Sequence, residues 1–294
     1  MAVLTQALTS VDAYVDFFSH QPWPVLRRTA NEIERLRQNM DTATRMDIAS
    51  AVWGDPLMTM RLLSHIEKHR KATQNHDIVT ISGALVMMGI VPFFNTFAEL
   101  PTVEDALASR QPALLGLLKV VSRACRAARY AREWAVIRRD LNVNEIIVAA
   151  LLREAFEMVC WIHAPDLTQR VYDLQRANRD LRSAVAQKQV FRVTGRELQL
   201  GLIHAWCLPE LLISMLDESQ AEQPRVRTVT LAADFARHVS LGWDNPALPD
   251  DIANLAALLR IPPEALMRKI DAPPQVWPAL LSAAYAGAFP AMQE

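Results

Sequence analysis

Signals that start and stop helices run from one end of this sequence to the other, and little in it can turn a strand. Asp55-Pro56 pairs an N-capping carboxylate with proline at the first helical position, and Leu57, Met60, Leu63 and His65-Ile66 continue a helical stripe. Thr194-Gly195-Arg196-Glu197 is a capping box, in which Thr and Glu side chains satisfy N–H groups that the first turn leaves unpaired; it opens a segment through Leu198, Leu202 and Ile203. Asn144 is placed to cap an apolar helix from Ile146 to Ile162, with Pro165 after its end. Pro209, Pro224, Pro249 and Pro262-Pro263 divide the remainder. Glycine, which supplies the positive φ that hairpin turns need, occurs 8 times in 294 residues, less than half its usual share. The one alternating run, Val190 to Thr194, is short and ends on the capping box. The expected fold class is all-α.

A chain of this length can bury roughly three quarters of its unfolded surface, so a core forms without disulfides or metal staples. The 51% of hydrophobic residues supply it. Lys and Arg (31) balance Asp and Glu (32) to a net charge of −1, which excludes a global pull toward nucleic acid or an anionic membrane. Any such binding must come from a local patch. Cys125, Cys160 and Cys207 lie in apolar runs without CxxC spacing and read as small buried residues of a reduced compartment. Met1-Ala2-Val3-Leu4 begins no basic-then-apolar leader, and no run of about 18 apolar residues follows anywhere. The expected location is cytoplasmic. Polar residues from Asp217 to Pro224 separate apolar helices, so three parts are expected: an N-terminal helical extension (1–21), a main domain (22–217) and C-terminal helices (218–294) packed on or continuing it.

Pro22-Trp23-Pro24 leads into a helix, and Asp55-Pro56-Leu57-Met58-Thr59-Met60-Arg61-Leu62-Leu63 follows a DPxLTxRLL pattern. Thr80-Ile81-Ser82-Gly83-Ala84 through Met88-Gly89 follows ISSxxxAxxxLG, Trp206-Cys207-Leu208-Pro209 a WxLP turn, and Ala232-Ala233-Asp234 a late LAD helix. In this order the segments resemble the HDOD family of bacterial regulatory domains. The resemblance implies an HD-like multi-helix bundle of HDOD type with additional C-terminal helices, descended from metal phosphohydrolases. Those enzymes carry a His-Asp pair, read as GLLHD, because divalent metals need imidazole and carboxylate side by side. Here the matching stretch reads Ala150-Leu151-Leu152-Arg153-Glu154-Ala155-Phe156. Arginine keeps its proton and presents only donors, so it cannot ligate a metal. The resemblance with this departure implies a non-enzymatic module with neither metal nor cofactor.

The candidate sites each have two readings. Arg153, Glu154 and Glu157 are the charges inside the apolar segment; they either form a pocket for a phosphate or partner carboxylate at the eroded site, or pair internally as Arg153–Glu157 at i,i+4. Arg123, Arg126, Arg129 and Arg132 recur every three residues and spread over half a helix circumference, offering either an anion-binding face or a solvated one. His65 and His69 share a helix face beside Lys68, Arg70 and Lys71, which disfavours a cation there. His76-Asp77 is an HD dipeptide in a polar stretch, away from the expected central helix, and reads as a solvated loop. No GxSxG, GxGxxG or GxxxxGKS motif is present. The expected function is a regulatory, signal-transduction module that binds a protein partner or a small nucleotide-type signalling ligand. The alternatives are a residual phosphohydrolase around Glu154, Asp217 and His204, and a nucleotide- or RNA-binding protein using the Arg123 to Arg132 helix.

Overall fold

The computed structural model describes residues 2–69, 77–178 and 181–288. In chain order its helices are α1 (Val11–Ser19), α2 (Arg27–Gln38), α3 (Arg45–Trp53), α4 (Pro56–Lys68), α5 (Ile81–Met88), α6 (Ile90–Thr96), α7 (Val103–Ala106), α8 (Gln111–Ile137) and α9 (Val143–Leu152). They continue as α10 (Ala155–His163), α11 (Pro165–Ala177), α12 (Ser183–Phe191), α13 (Gly195–Ala205), α14 (Glu210–Leu216), α15 (Pro224–Ser240), α16 (Leu248–Leu259), α17 (Pro263–Lys269) and α18 (Trp277–Ala288). Among the described residues the only β pairing is an isolated bridge between Val25 and Thr102. The all-α expectation holds. No helix among them is long and apolar enough to cross a membrane.

Two compact units divide the chain. The first comprises Met1–Cys125 and Glu154–Ser214, the second Arg126–Arg153 and Met215–Glu294. The unit limits fall inside α8 and α14 and between α9 and α10, because they follow spatial contacts and not the composition of the sequence.

In the first unit the helix starts read from sequence are present, and Asp55 does more than cap. Its Oδ1 accepts the N–H groups of Leu57 (3.0 Å) and Met58 (3.1 Å), while Oδ2 reaches 29 residues back to the N–H of Leu26 (2.8 Å). Asp55 is fully buried. Burial pushes its carboxyl up from the ordinary value, and the Leu26, Met58, Thr29 and Leu57 hydrogen bonds pull the other way. One turn further along α4, Arg61 donates to the Trp23 carbonyl (2.7 Å) and Ser64 to the Trp206 carbonyl (2.6 Å). The Trp23 and Trp206 rings meet edge to face with centroids 5.1 Å apart. Trp206, in the WxLP turn, is buried in the core.

Helix α1 lies against α13, where a Cβ on Gly201 would stand 2.7 Å from the Val15 side chain. Glycine is required for that approach. The buried Tyr14 hydroxyl donates to the Phe191 carbonyl and accepts the Leu8 N–H, both at 3.0 Å. The extended residues before α1 continue over α10, with Leu4 N–H on the His163 carbonyl at 2.7 Å.

Four local expectations are corrected. The apolar helix expected from Ile146 to Ile162 is two helices, α9 and α10, with Arg153 and Glu154 forming the break. Helix α9 starts at Val143, so Asn144 lies inside its first turn and not at its cap. Cys207 is exposed, because it follows the end of α13 where the chain turns left-handed (φ 53°) and aims the thiol outward. Asp77 is not a solvated loop residue: its Oδ2 accepts the Leu211 N–H (2.8 Å) and caps α14. His76 lies outside the described residues.

The second unit has its own aromatic core. Tyr130 stacks on Trp134 (5.4 Å), Phe235 meets Tyr130 edge-on (5.1 Å), and Trp243 covers Phe235 (6.2 Å). Arg225 on α15 pairs with Asp140 (3.1 Å) and Glu145 (3.6 Å), tying α15 to the segment that opens α9. His238 Nδ1 lies 2.6 Å from Asp251 Oδ2 and links α15 to α16.

His163 gives the fold a pH dependence. It is 1% exposed, and its Nδ1 makes no hydrogen bond. Burial lowers its pKa to about 4, against hydrogen bonds to the backbone of Ala2 and Pro22 that favour the charged ring. Because the folded protein takes up this proton later than the unfolded chain, the stabilisation is complete above pH 6.5 and is lost as pH falls from 6.5 toward about 4. Denaturant titrations across that window are expected to show a steeper loss in wild type than in His163→Gln. Equal slopes would show that the ring titrates normally.

Candidate functional site

Three charged side chains converge in the first unit where the sequence placed its eroded centre. Arg123, near the middle of α8, points Nε at Glu154 Oε2 (2.5 Å) and a terminal nitrogen at Glu157 Oε2 (2.8 Å). Glu154 occupies the position just before α10 and Glu157 its first turn, where carboxylates suit the positive end of the helix dipole. The Arg123 and Glu154 side chains are 13% and 10% exposed, Glu157 more so at 36%. Burial disfavours the Arg123 charge, but the Glu157 and Glu154 carboxylates more than offset that cost and hold the guanidinium more firmly protonated than in water. A charge buried at this depth needs such a partner, and the fork geometry of a guanidinium serves two carboxylates at once.

Arg153 behaves differently from its neighbour. It donates to the Leu216 carbonyl at 2.9 Å, covering an acceptor that the last turn of α14 leaves open. An Arg153–Glu157 pair at i,i+4 presupposes one continuous helix, and the chain is not helical across Arg153 and Glu154. Arg123, grouped in the sequence with the arginines that follow it, is instead the counter-ion of Glu154 and Glu157. A signal for this was available: Arg123 stands three residues after Val120 and four before Ala127, both buried, so its position borders the inner face of α8. Arg129 and Arg132 are exposed and Arg126 half-buried.

The remaining candidates stay apart. The His65 and His69 rings lie 4.2 Å apart as their spacing implied, but His69 Nδ1 donates to the His65 carbonyl of its own helix (2.8 Å). Burial, then the charges of His69 and Lys68, pushes the His65 imidazole down from its ordinary value. His204 is exposed on α13. Among the described residues no group of three or more His, Cys, Asp or Glu could hold a metal ion. With Glu154 bound to a guanidinium and arginine in the place of an imidazole, the residues present do not fit a binuclear metal centre.

A family model described as the HDOD domain matches residues 23–222. The chain belongs to the HDOD family. HDOD architecture extends to solved structures of low identity. A virulence factor from Campylobacter jejuni subsp. jejuni superposes with a TM-score of 0.62 at 17% identity, covering 94% of this chain and 99% of that one. The MmoQ response regulator of Methylococcus capsulatus str. Bath gives 0.60 at 18% identity, covering 86% and 99%. A fragment of the same regulator gives 0.55 at 17%, covering 83% and 98%. No protein with curated annotation matches. The HDOD elements seen in sequence now have physical roles: DPxLTxRLL supplies the Asp55 carboxylate and Arg61, and the WxLP turn supplies the carbonyl held by Ser64.

Removing the guanidinium strands two carboxylates. Arg123→Met is expected to cost about 3–5 kcal/mol in denaturant titration at neutral pH, the usual cost of breaking a buried pair from one side. Adding Glu154→Gln to that variant should recover a substantial part. A loss no larger than that of an exposed arginine would show that the cluster is not structural.

Proposed function

We propose that this HDOD protein is a non-catalytic signalling module that acts by binding a protein partner. The observation that carries the reading is the Arg123–Glu154–Glu157 cluster. The carboxylate that follows the eroded metal-ligand position is neutralised by a nearly buried guanidinium at 2.5 Å, so it is engaged in holding α8 to the start of α10. Metal-assisted hydrolysis needs carboxylates free to bind ions and a water activated by them. Neither role suits a carboxylate held in a nearly buried ion pair with a guanidinium. The expected pocket around Arg153, Glu154 and Glu157 is accordingly read as internal bracing. Family membership supports a regulatory role, and the fold is shared with a protein named as a response regulator.

The purified chain, incubated with Mn²⁺, Mg²⁺ or Fe²⁺, is expected to give no turnover of p-nitrophenyl phosphate or bis-p-nitrophenyl phosphate above the protein-free rate. Metal-dependent turnover that disappears in Glu154→Ala would overturn the reading.

A further inference from the structure

With Arg123 turned inward, the arginine row of α8 narrows. At about 100° per residue, Arg126, Arg129 and Arg132 fall within an arc of about 120°. The positions between them face the other way: Ala127, Ala128, Tyr130, Ala131, Trp134 and Ala135 are all buried. Val136 falls inside the arginine arc by the same spacing and is 59% exposed, an apolar side chain left in water among cations. Glu133 is the acidic residue of the arc and is exposed. None of the three arginines forms an ion pair with a carboxylate among the described residues. Arg129 is held over the Tyr130 ring, 5.4 Å from its centroid, which limits its rotamers.

We propose that this face of α8 is the docking surface for an acidic amphipathic segment of a protein partner, with Arg126, Arg129 and Arg132 meeting its carboxylates and Val136 its apolar stripe. The proposal rests on the binding-module reading and names the surface that serves it. Three permanent cations outnumber the acids nearby, Glu133 on the helix and Asp271 near Tyr130, which gives charge complementarity to carboxylates, and arginine pairs with these through two parallel hydrogen bonds. Val136, one turn beyond Arg132 on the same side of the helix, adds an exposed apolar contact at the C-terminal end of the arginine row. A nucleic acid is the poorer fit. Its affinity needs many phosphate contacts or exposed aromatic rings for base stacking, and Tyr130 and Trp134 beside the arginines are buried.

The test is fluorescence anisotropy of the full chain with two probes: a labelled helical peptide bearing glutamates on both sides of a leucine stripe, and a labelled single-stranded oligothymidine. Saturable peptide binding is expected, weakened about tenfold or more by Arg129→Glu with Arg132→Glu. Val136→Asp should weaken it with all three arginines intact. These side chains are exposed, and an unchanged melting curve confirms that each variant folds. Absence of peptide binding, equal affinity in the variants, or tighter binding of the oligothymidine would overturn the proposal. If peptide binding fails while phosphoesters remain untouched, the surface is wrong and the non-catalytic reading stands.

Discussion

A fully buried carboxylate held by backbone N–H groups organises the first unit. Asp55 spends one oxygen on the start of its own helix and the other on Leu26, at the start of α2. Three backbone donors replace the water that burial removes, which is how an aspartate is accommodated inside a core. The same helix then fixes Trp23 through Arg61 and the end of α13 through Ser64. Segments separated by as many as 142 residues in sequence are thereby tied to about two and a half turns at the start of α4. Side-chain packing fills the space around this frame, but the directional bonds decide which helix ends meet.

The Arg123 cluster follows the same logic with the opposite inventory. Two carboxylates at the start of a helix would repel each other, and a guanidinium from α8 resolves the repulsion while satisfying its own donors. Such a cluster is costly to break and adds little over a packed apolar core. On the proposed reading its significance is chemical: it engages the carboxylate that an HD-type centre would need beside its imidazole. Binding remains available to the protein because binding draws on the surface, and α8 carries both the internal counter-ion and an outward arginine face on one helix.

Much of the fold was legible in the sequence because helix caps are local. Asp55-Pro56 and Thr194 to Glu197 each specify a start within four residues, and both starts are where they were read. Failures came where a long-range partner decided the outcome. The break at Arg153-Glu154 interrupts a segment whose apolar period is uninterrupted, and the partners of those two residues, Leu216 and Arg123, lie 63 and 31 residues away. Asp77 looked solvated because the helix end it caps is 134 residues later. The inward turn of Arg123 was hidden because its three-residue period grouped it with Arg126, Arg129 and Arg132, while its carboxylate partners lie 31 and 34 residues later.

Native-state hydrogen exchange read at single amides tests the role of Asp55 most directly. If its carboxylate is the frame of the first unit, the amides of Leu26, Leu57 and Met58 exchange only through global unfolding and belong to the slowest class, although each lies at a helix start where fraying is usual. Exchange of these three at the rate of ordinary helix termini would contradict the account, since the bonds would then open without cost to the fold.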